Sequence, residues 1–305
     1  MIIGLLKGGL GNQLFQVFAT ITIALKTGHS FSFFDINDHF SKMVHNKNST
    51  TTLRTTDWDN CFGFLSQYRL DVLRGPSYNK AIIIRDDALT PNTNFIIGQD
   101  YILDGYFQDT SIFYTKKTMI MSILKINTKQ NALSKKLLER HSHWVNMASM
   151  HFRFGDYLKY PDTYVILDTL YYMNALSEID SSVDCCFEEI IVIYFCDNNE
   201  ADAARATSII SECAGVYPRV KFVSASEYGD NTNKLTSFDE MLLMSLCTYN
   251  IIANSTFSWW GAYMNSGPNK KVYYPDRWYA NNTNESALSR IIPDDPAWIE
   301  TSVCK

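Results

Sequence analysis

The sequence predicts an α/β protein of two domains organised on parallel, doubly wound sheets. Three observations carry this. Short apolar runs alternate with helix-length segments through the second half, at spacings that suit successive βα units. The chain opens with an apolar run, Ile2–Leu6, that passes through Lys7-Gly-Gly-Leu-Gly-Asn-Gln13 into a helical pattern. Strand, glycine turn and helix form the unit that lets a backbone approach a ligand closely. The 305 residues also suffice for two domains of about 150 residues each.

In chain order, the first helix carries apolar residues at Leu14, Val17, Phe18, Ile21, Ala24 and Leu25 and stops at Gly28, a suitable left-handed C-cap. Ser30–Phe34 is a second strand. His39–Arg74 is polar and aromatic without a period and reads as loops and short helices. Ala81–Ile84 and Tyr101–Leu103 are strands; Ile112–Leu124 and Asn131–His141 are helical. This closes the first domain, so the expected division is 1-143 and 144-305. In the second domain, strand Trp144–Phe152 precedes helix Leu167–Ile179, and strand Glu189–Phe195 precedes helix Asn199–Cys213. Strand Val220–Val223 then leads to helix Phe238–Cys247, strand Asn250–Ala253 to helix Phe257–Ser266, and Lys271–Tyr274 is the last strand. Polar residues at the C-terminal ends of these strands, Arg153, Asp197, Ser255 and Thr256, are the candidates to line a site.

Composition excludes several classes. An apolar content of 46% with 19% charged residues is that of a soluble globular protein. The net charge of −5, without a Lys/Arg cluster, argues against a nucleic-acid partner. Met1–Leu6 runs straight into the glycine turn, unlike a signal peptide, and no stretch reaches the roughly 18 apolar residues of a membrane span. The expectation is a cytoplasmic protein. The seven cysteines, mostly in apolar surroundings, then read as reduced thiols, and the adjacent Cys185 and Cys186 lack zinc-site spacing. The sequons at Asn48, Asn254, Asn281 and Asn284 read as chance matches.

Two stretches carry chemistry. Asn250–Tyr263 runs from an apolar strand through the hydroxyl-rich turn Asn254-Ser-Thr256 into a helix. The unpaired N–H groups and dipole of a helix start favour an anion. A plain Ser/Thr N-cap also accounts for the hydroxyls, though Trp259-Trp260 is a costly accompaniment to one. His151-Phe-Arg-Phe-Gly-Asp-Tyr157 follows a buried strand and sets Arg153 at its end. Together these stretches resemble the α-1,2-fucosyltransferases of glycosyltransferase family 11, with their His-x-Arg-Arg-Gly-Asp-Tyr and Asn-Ser-Thr-Phe-Ser-Trp-Trp-Gly-Ala motifs. The second motif is complete at Asn254–Ala262; the first departs at Phe154, where a second Arg is usual. Gly8–Gln16, Gly105–Gln108, Phe195–Asn198 (with Cys196 and Asn198 altered), Asp239–Cys247 and Pro293–Trp298 resemble further family stretches.

The resemblance implies a GT-B type glycosyltransferase with two Rossmann-like domains facing a cleft, the acceptor-side domain first and the GDP-fucose domain second. It implies inverting transfer of L-fucose from GDP-β-L-fucose to the 2-hydroxyl of a galactose-like residue of a glycan. Asn12, with Gly9 and Gly11, is expected near the transferred sugar. Arg153 is expected on the β-phosphate, joined by Asn254, Ser255, Thr256 and the N–H groups at Phe257. Asp197 is expected to accept from guanine or ribose, although an N-terminal cap for the helix at Asn199 explains it equally well. Glu240 is either a ribose ligand or an ordinary first-turn acid. His151 reads as a satisfied core histidine or an orienting group, and Asp156 as a general base or a partner of Arg153. No Asp-x-Asp element occurs at a strand end, so no metal is expected; Arg153 and a helix N-terminus take over a cation's work. Two other readings stay open: a GDP-fucose transferase of another linkage, α-1,6 or O-fucose, and a non-catalytic sugar-nucleotide-binding module.

Overall fold

Ile2–Leu6 (β1) is buried along its whole length, which only a strand covered on both faces achieves. The computed structural model describes residues 1–36, 56–70, 80–90, 93–140, 146–183, 189–197, 199–228, 234–281 and 284–303. The chain divides into two units, Met1–Asn127 and Thr128–Lys305. Most of the irregular stretch expected at 39–74, the start of the strand expected at Trp144, Asn198, and Cys185, Cys186 and Cys304 lie outside the described residues.

In the first unit, β1 pairs in parallel with β2 (Phe31–Asp35) on one side. On the other it pairs with β4 (Tyr101–Leu103), which carries β3 (Ile82–Ile84) at the edge, giving the order β2-β1-β4-β3. Helix α1 (Leu10–Thr27) connects β1 to β2 and ends on Gly28 at φ 69°. It starts four residues before its apolar pattern does, so Gly11 and Asn12 lie in its first turn and not in a loop. A Cβ on Gly4 of β1 would fall 2.3 Å from Thr20 Oγ1 and 3.2 Å from the Phe33 ring, so this glycine sets how closely α1 lies on the sheet. The helix expected over 112–124 is broken into α2 (Thr110–Phe113), a 3₁₀ turn over Tyr114–Lys116, and α3 (Lys117–Ile123). Asp109 caps α2 by accepting from Ser111 N at 2.9 Å.

Helix α4 (Ile126–Arg140) corrects the expected boundary. Leu133 and Leu137 pack with Ile191, Ile193 and Leu243, and Gln130 donates to Ser245 Oγ at 2.7 Å and to Met264 O at 3.2 Å. These contacts tie α4 to the second unit, so the division falls at 127/128, in the first turn of the helix, and not at 143/144 after it.

The second unit holds β5 (Asn146–His151), β6 (Ile190–Phe195), β7 (Val220–Ser224), β8 (Tyr249–Ile251), β9 (Lys271–Pro275) and β10 (Trp298–Thr301). All neighbours are parallel, in the order β10-β9-β8-β5-β6-β7. The connecting helices are α5 (Thr169–Ser182), α6 (Glu200–Val216), α7 (Ser237–Ser245), α8 (Thr256–Met264) and α9 (Asn284–Ile291). Asp168, Asn199, Thr236 and Ser255 cap α5 to α8, each accepting from a first-turn N–H. Strand β10 and helix α9 extend the unit beyond the expected last strand. Buried Asn250 links β8 to Ser149 Oγ on β5 and to Met244 O of α7, both at 2.7 Å.

Cys61, Cys213 and Cys247 are buried and Cys196 is half-buried. Among the described residues no helix is long and apolar enough to cross a membrane.

Both sheets have a switch point. In the first, the chain leaves β1 towards β2 and later returns to the opposite side at β4; in the second it leaves β5 towards β6 and β7 and returns at β8. Ligands of open α/β sheets bind outside the strand C-termini at such points.

Gly4→Ala should lower unfolding free energy by about 1–3 kcal/mol, the usual cost of overpacking. Adding Thr20→Ala, which removes the clashing hydroxyl, should restore part of the loss in a denaturant double-mutant cycle; additive losses would show that the contact with Thr20 is not the cause.

Candidate active site

Strand register brings the first pair of functional residues together. His151 on β5 lies opposite Phe195 on β6, and Phe152 N still bonds Phe195 O at 2.8 Å. Two residues beyond that ladder, Arg153 and Asp197 emerge side by side. Arg153 Nη1 donates to Asp197 Oδ2 at 2.8 Å, and Nη2 donates to Asp156 Oδ1. The guanidinium also lies over the Tyr157 ring, with Cζ 5.0 Å from its centroid. The Arg153 side chain is 13% exposed while both carboxylates are about half exposed, so the cation is shielded and its partners are not.

The loop carrying these groups is tied down from two sides. Gly155 N donates to Asp202 Oδ2 at 3.0 Å; Asp202 is buried in the first turn of α6 and also accepts from Asn199 Nδ2 at 2.8 Å. Gly155 has φ 35°, and a Cβ there would sit 2.9 Å from Asp197 Oδ2. On the other side Tyr157 OH donates to Asn254 O at 2.9 Å, bridging the ends of β5 and β8 across the switch point. The Tyr157 ring stacks on Tyr164 at 4.0 Å and 8°, and burial pushes its phenol pKa up, so it remains a donor.

Several expected ligands belong to the frame of the site. Asn254 is fully buried, and its Nδ2 donates to Val165 O at 2.9 Å and Trp278 O at 2.8 Å, so the amide fastens two loops. Ser255 is the α8 N-cap, its hydroxyl accepting from Phe257 N at 3.3 Å, as the plain capping reading has it. Thr256 and Phe257 are half-buried in the first turn that follows. Trp259 and Trp260 are fully buried core residues, with Trp259 Nε1 donating to Ile291 O at 2.9 Å. Gly261 lets α8 cross α7, since a Cβ would lie 2.8 Å from that of Met244.

His151 is buried, with Nδ1 2.9 Å from Ser258 Oγ and its ring 5.6 Å from that of Phe257. Burial, reinforced by Arg153, pulls its pKa down to about 3, so the imidazole is neutral and orients the first turn of α8. Phe154 lies in the core beside Phe152, and Arg205 of α6 rests over its ring at 5.9 Å. Glu240, in the first turns of α7, has its pKa pushed up to about 7 by burial and then by the negative charges of Asp197 and Asp239. Asp197, Asp202 and Glu240 also help burial raise the Cys196 thiol, which marks how closely acids gather at the end of β6. With Glu240 protonated, Arg153, Asp156 and Asp197 sum to a net charge of −1. Among the described residues no three His, Cys, Asp or Glu side chains converge as a metal site.

The first unit builds its own mouth at the β1/β4 switch point. Gly8 has φ 78°, and Gly9 is the N-cap of α1. Gly11 is buried inside the first turn, whereas Asn12 is half-buried and its Oδ1 accepts from Gln108 Nε2 at 3.0 Å. Gln16 holds both Lys7 backbone groups, accepting from N at 3.0 Å and donating to O at 3.3 Å. Lys7 Nζ donates to Asp104 Oδ1 at 2.7 Å. The Asp86 carboxylate accepts from the backbone N–H of Tyr106 at 3.0 Å and of Phe107 at 2.5 Å, and it fills the space a Gly105 Cβ would need. The Gly105–Gln108 stretch is among the motifs in the sequence, whereas Asp86, Asp202 and Tyr157 emerge as functional only from these contacts. The final Tyr of the first motif and the Asn-x-x-Asp spacing at 199–202 were the available signals for two of them.

The family model for glycosyl transferase family 11 matches residues 78–291. The Escherichia coli O-antigen biosynthesis glycosyltransferase WbnK is 27% identical, with 93% of this chain and 96% of that protein aligned. An Escherichia coli alpha-1,2-colitosyltransferase is 23% identical over 98% of both chains. Among solved structures, fucosyltransferase NodZ from Bradyrhizobium aligns with a TM-score of 0.44 at 12% identity over 85% of this chain and 91% of that one. A mutant of Arabidopsis thaliana FUT1 in complex with GDP gives 0.44 at 13% identity, over 90% of this chain and 69% of that one.

Glu240 gives this site a pH signature in stability. Its folded pKa, about 7, lies above the unfolded value of 4.5, so the folded state holds the proton longer. Its contribution to stability is therefore greatest below the unfolded pKa, is lost as pH rises towards 7, and stays lost above. Glu240→Gln should raise the melting temperature at pH 8 relative to the parent and much less at pH 4.5. An equal shift at both pH values would show that Glu240 is not held protonated.

Proposed function

The chain belongs to glycosyl transferase family 11, and from that membership we propose that it transfers L-fucose from GDP-β-L-fucose to the 2-hydroxyl of a galactose-like residue, with inversion. As a glycosyltransferase with two α/β units on parallel sheets it has the organisation of the GT-B type. The observation that carries the reading is Arg153 at the β5/β8 switch point, seated on Tyr157, whose hydroxyl bonds Asn254 O just before α8.

As the sugar leaves, negative charge grows on the β-phosphate, and a fork of charged donors aimed there lowers the barrier. Guanidinium suits this because it keeps its charge and offers two parallel N–H groups. Both of those groups hold carboxylates, so the diphosphate takes them by exchange. Asp156 and Asp197 are half exposed, so each carboxylate can turn to solvent as the diphosphate takes its place. Asp197, once released, accepts from guanine or ribose, and Glu240 beside it needs no counter-ion while protonated. Asn12 and Gly9 in the first unit serve the transferred sugar. The acceptor hydroxyl attacks C1 from the face opposite the departing GDP, which gives the α linkage. A second reading, a colitosyl donor, is favoured by the colitosyltransferase relative; colitose lacks the 3-hydroxyl of fucose, so the two donors separate in competition.

Purified protein with GDP-fucose and a β-galactoside should yield an α-1,2-linked product by NMR, and should retain most of its rate in excess EDTA because Arg153 supplies the cation. An α-1,6 product or no product would defeat the linkage assignment; complete loss in EDTA with recovery on Mn²⁺ would defeat the metal-free site.

Arg153→Ala should reduce kcat by roughly 100- to 1,000-fold or more, the usual effect of removing a donor to developing charge. Arg153→Lys should recover little, because it keeps the charge without the fork. Near-normal turnover in a folded Arg153→Ala protein, checked by circular dichroism, would make the residue structural.

A further inference from the structure

The acid-rich rim at the ends of β5 and β6 has a charge deficit that Arg153 alone does not meet. We propose that Arg205 of α6 is a second cation of the donor site, resting on the Phe154 ring until a diphosphate draws it to the mouth, and that it selects a diphosphate over a monophosphate. The proposal rests on the donor reading above and adds to it a residue from outside both sequence motifs.

Charge sets the need. The Gly155 loop gathers one guanidinium, that of Arg153, and the three carboxylates of Asp156, Asp197 and Asp202. A diphosphate adds further negative charge, and it takes Arg153 from two acids that stay close by. Like charges at that range oppose binding unless another cation joins them. A cation with no carboxylate of its own meets the need best.

Arg205 is such a cation. It is exposed on α6, and among the described residues its guanidinium enters no ion pair. Its Cζ stands 5.9 Å from the centroid of the Phe154 ring, and Phe154 directly precedes Gly155. Asp202, which accepts from Gly155 N at 3.0 Å, is three residues before Arg205 and shares its helix face. Arg205 is therefore only about 4.5 Å further along the helix than the acid that touches the loop. Helical side chains lean towards the N-terminus, which in α6 is the Asn199 cap just after β6. The long arginine stem points towards the mouth and spans the remaining distance.

The resting place suits a cation that moves. The Phe154 ring is fixed, 2% exposed and stacked 6.0 Å from Phe152. A cation lying over a ring at an exposed site is held weakly, so the ring orders Arg205 without competing with a phosphate.

The test compares calorimetric Kd values for GDP and GMP in the parent, Arg205→Met and Arg205→Lys. Met suits a helix and keeps an apolar stem on the ring while removing the charge. Arg205→Met should weaken GDP about tenfold and GMP clearly less, with the melting temperature of the parent. Arg205→Lys should hold GDP within about threefold of the parent, because here a charge is needed and not a fork. An unchanged GDP Kd in Arg205→Met overturns the proposal and leaves the donor reading intact. Equal losses for GDP and GMP, or for the Met and Lys variants, overturn it too, since neither follows from a charge on the outer phosphate. A parent that binds neither nucleotide overturns the proposal and the donor reading together.

Discussion

An arginine that emerges from a buried parallel strand has to be neutralised, and in this protein two carboxylates from different segments do it. Asp156 reaches Arg153 from the turn after β5 and Asp197 from the end of β6. The loop path follows from that pairing. Gly155 must lack a side chain because Asp197 occupies its Cβ space, and its left-handed φ requires glycine as well. Asp202 then satisfies the freed Gly155 N–H from the first turn of α6. The result is a cation whose direction is set but whose partners lie at the solvent edge.

The two units solve the same problem with different materials. At the second mouth an arginine stands on a tyrosine, and a histidine kept neutral by burial orients the adjoining helix start. At the first, glutamines clamp the backbone: Gln13 Nε2 bonds Gly8 O at 2.9 Å, and Gln16 closes both ends of Lys7. A charged fork suits an anionic group and an amide-lined mouth suits a neutral one.

Much of this was legible in the sequence because parallel strands buried on both faces make continuous apolar runs, as in Ile190–Phe195. The residues that follow such runs lie on a predictable rim, which is how Arg153 and Asp197 could be named. What could not be read was the direction of a short polar side chain. Asn254 and Ser255 have the composition of a ligand turn, yet Asn254 turns inward to hold Val165 and Trp278, and Ser255 caps its own helix. Asp202 was hidden because a first-turn acid is common on helices and only the tertiary contact to Gly155 distinguishes it. The polar Asn284–Ile291 helix and the four-residue β10 escaped for lack of an apolar pattern long enough to read.

Strand β10 has a consequence for the order in which the protein is completed. Trp298, at its start, packs 5.8 Å from Trp259 of α8 and pairs in register with Val272 of β9. During synthesis the four strands described in the first sheet are all made by residue 103, whereas the outer strand of the second arrives only with residues 298–301. Until then the free edge of β9 and the indole of Trp259 are exposed to other nascent chains, the state in which parallel sheets are most prone to associate wrongly. Helix α8 therefore gains this packing partner only once residues 298–301 have been made, and the interval before that is when a chaperone has the most to shield.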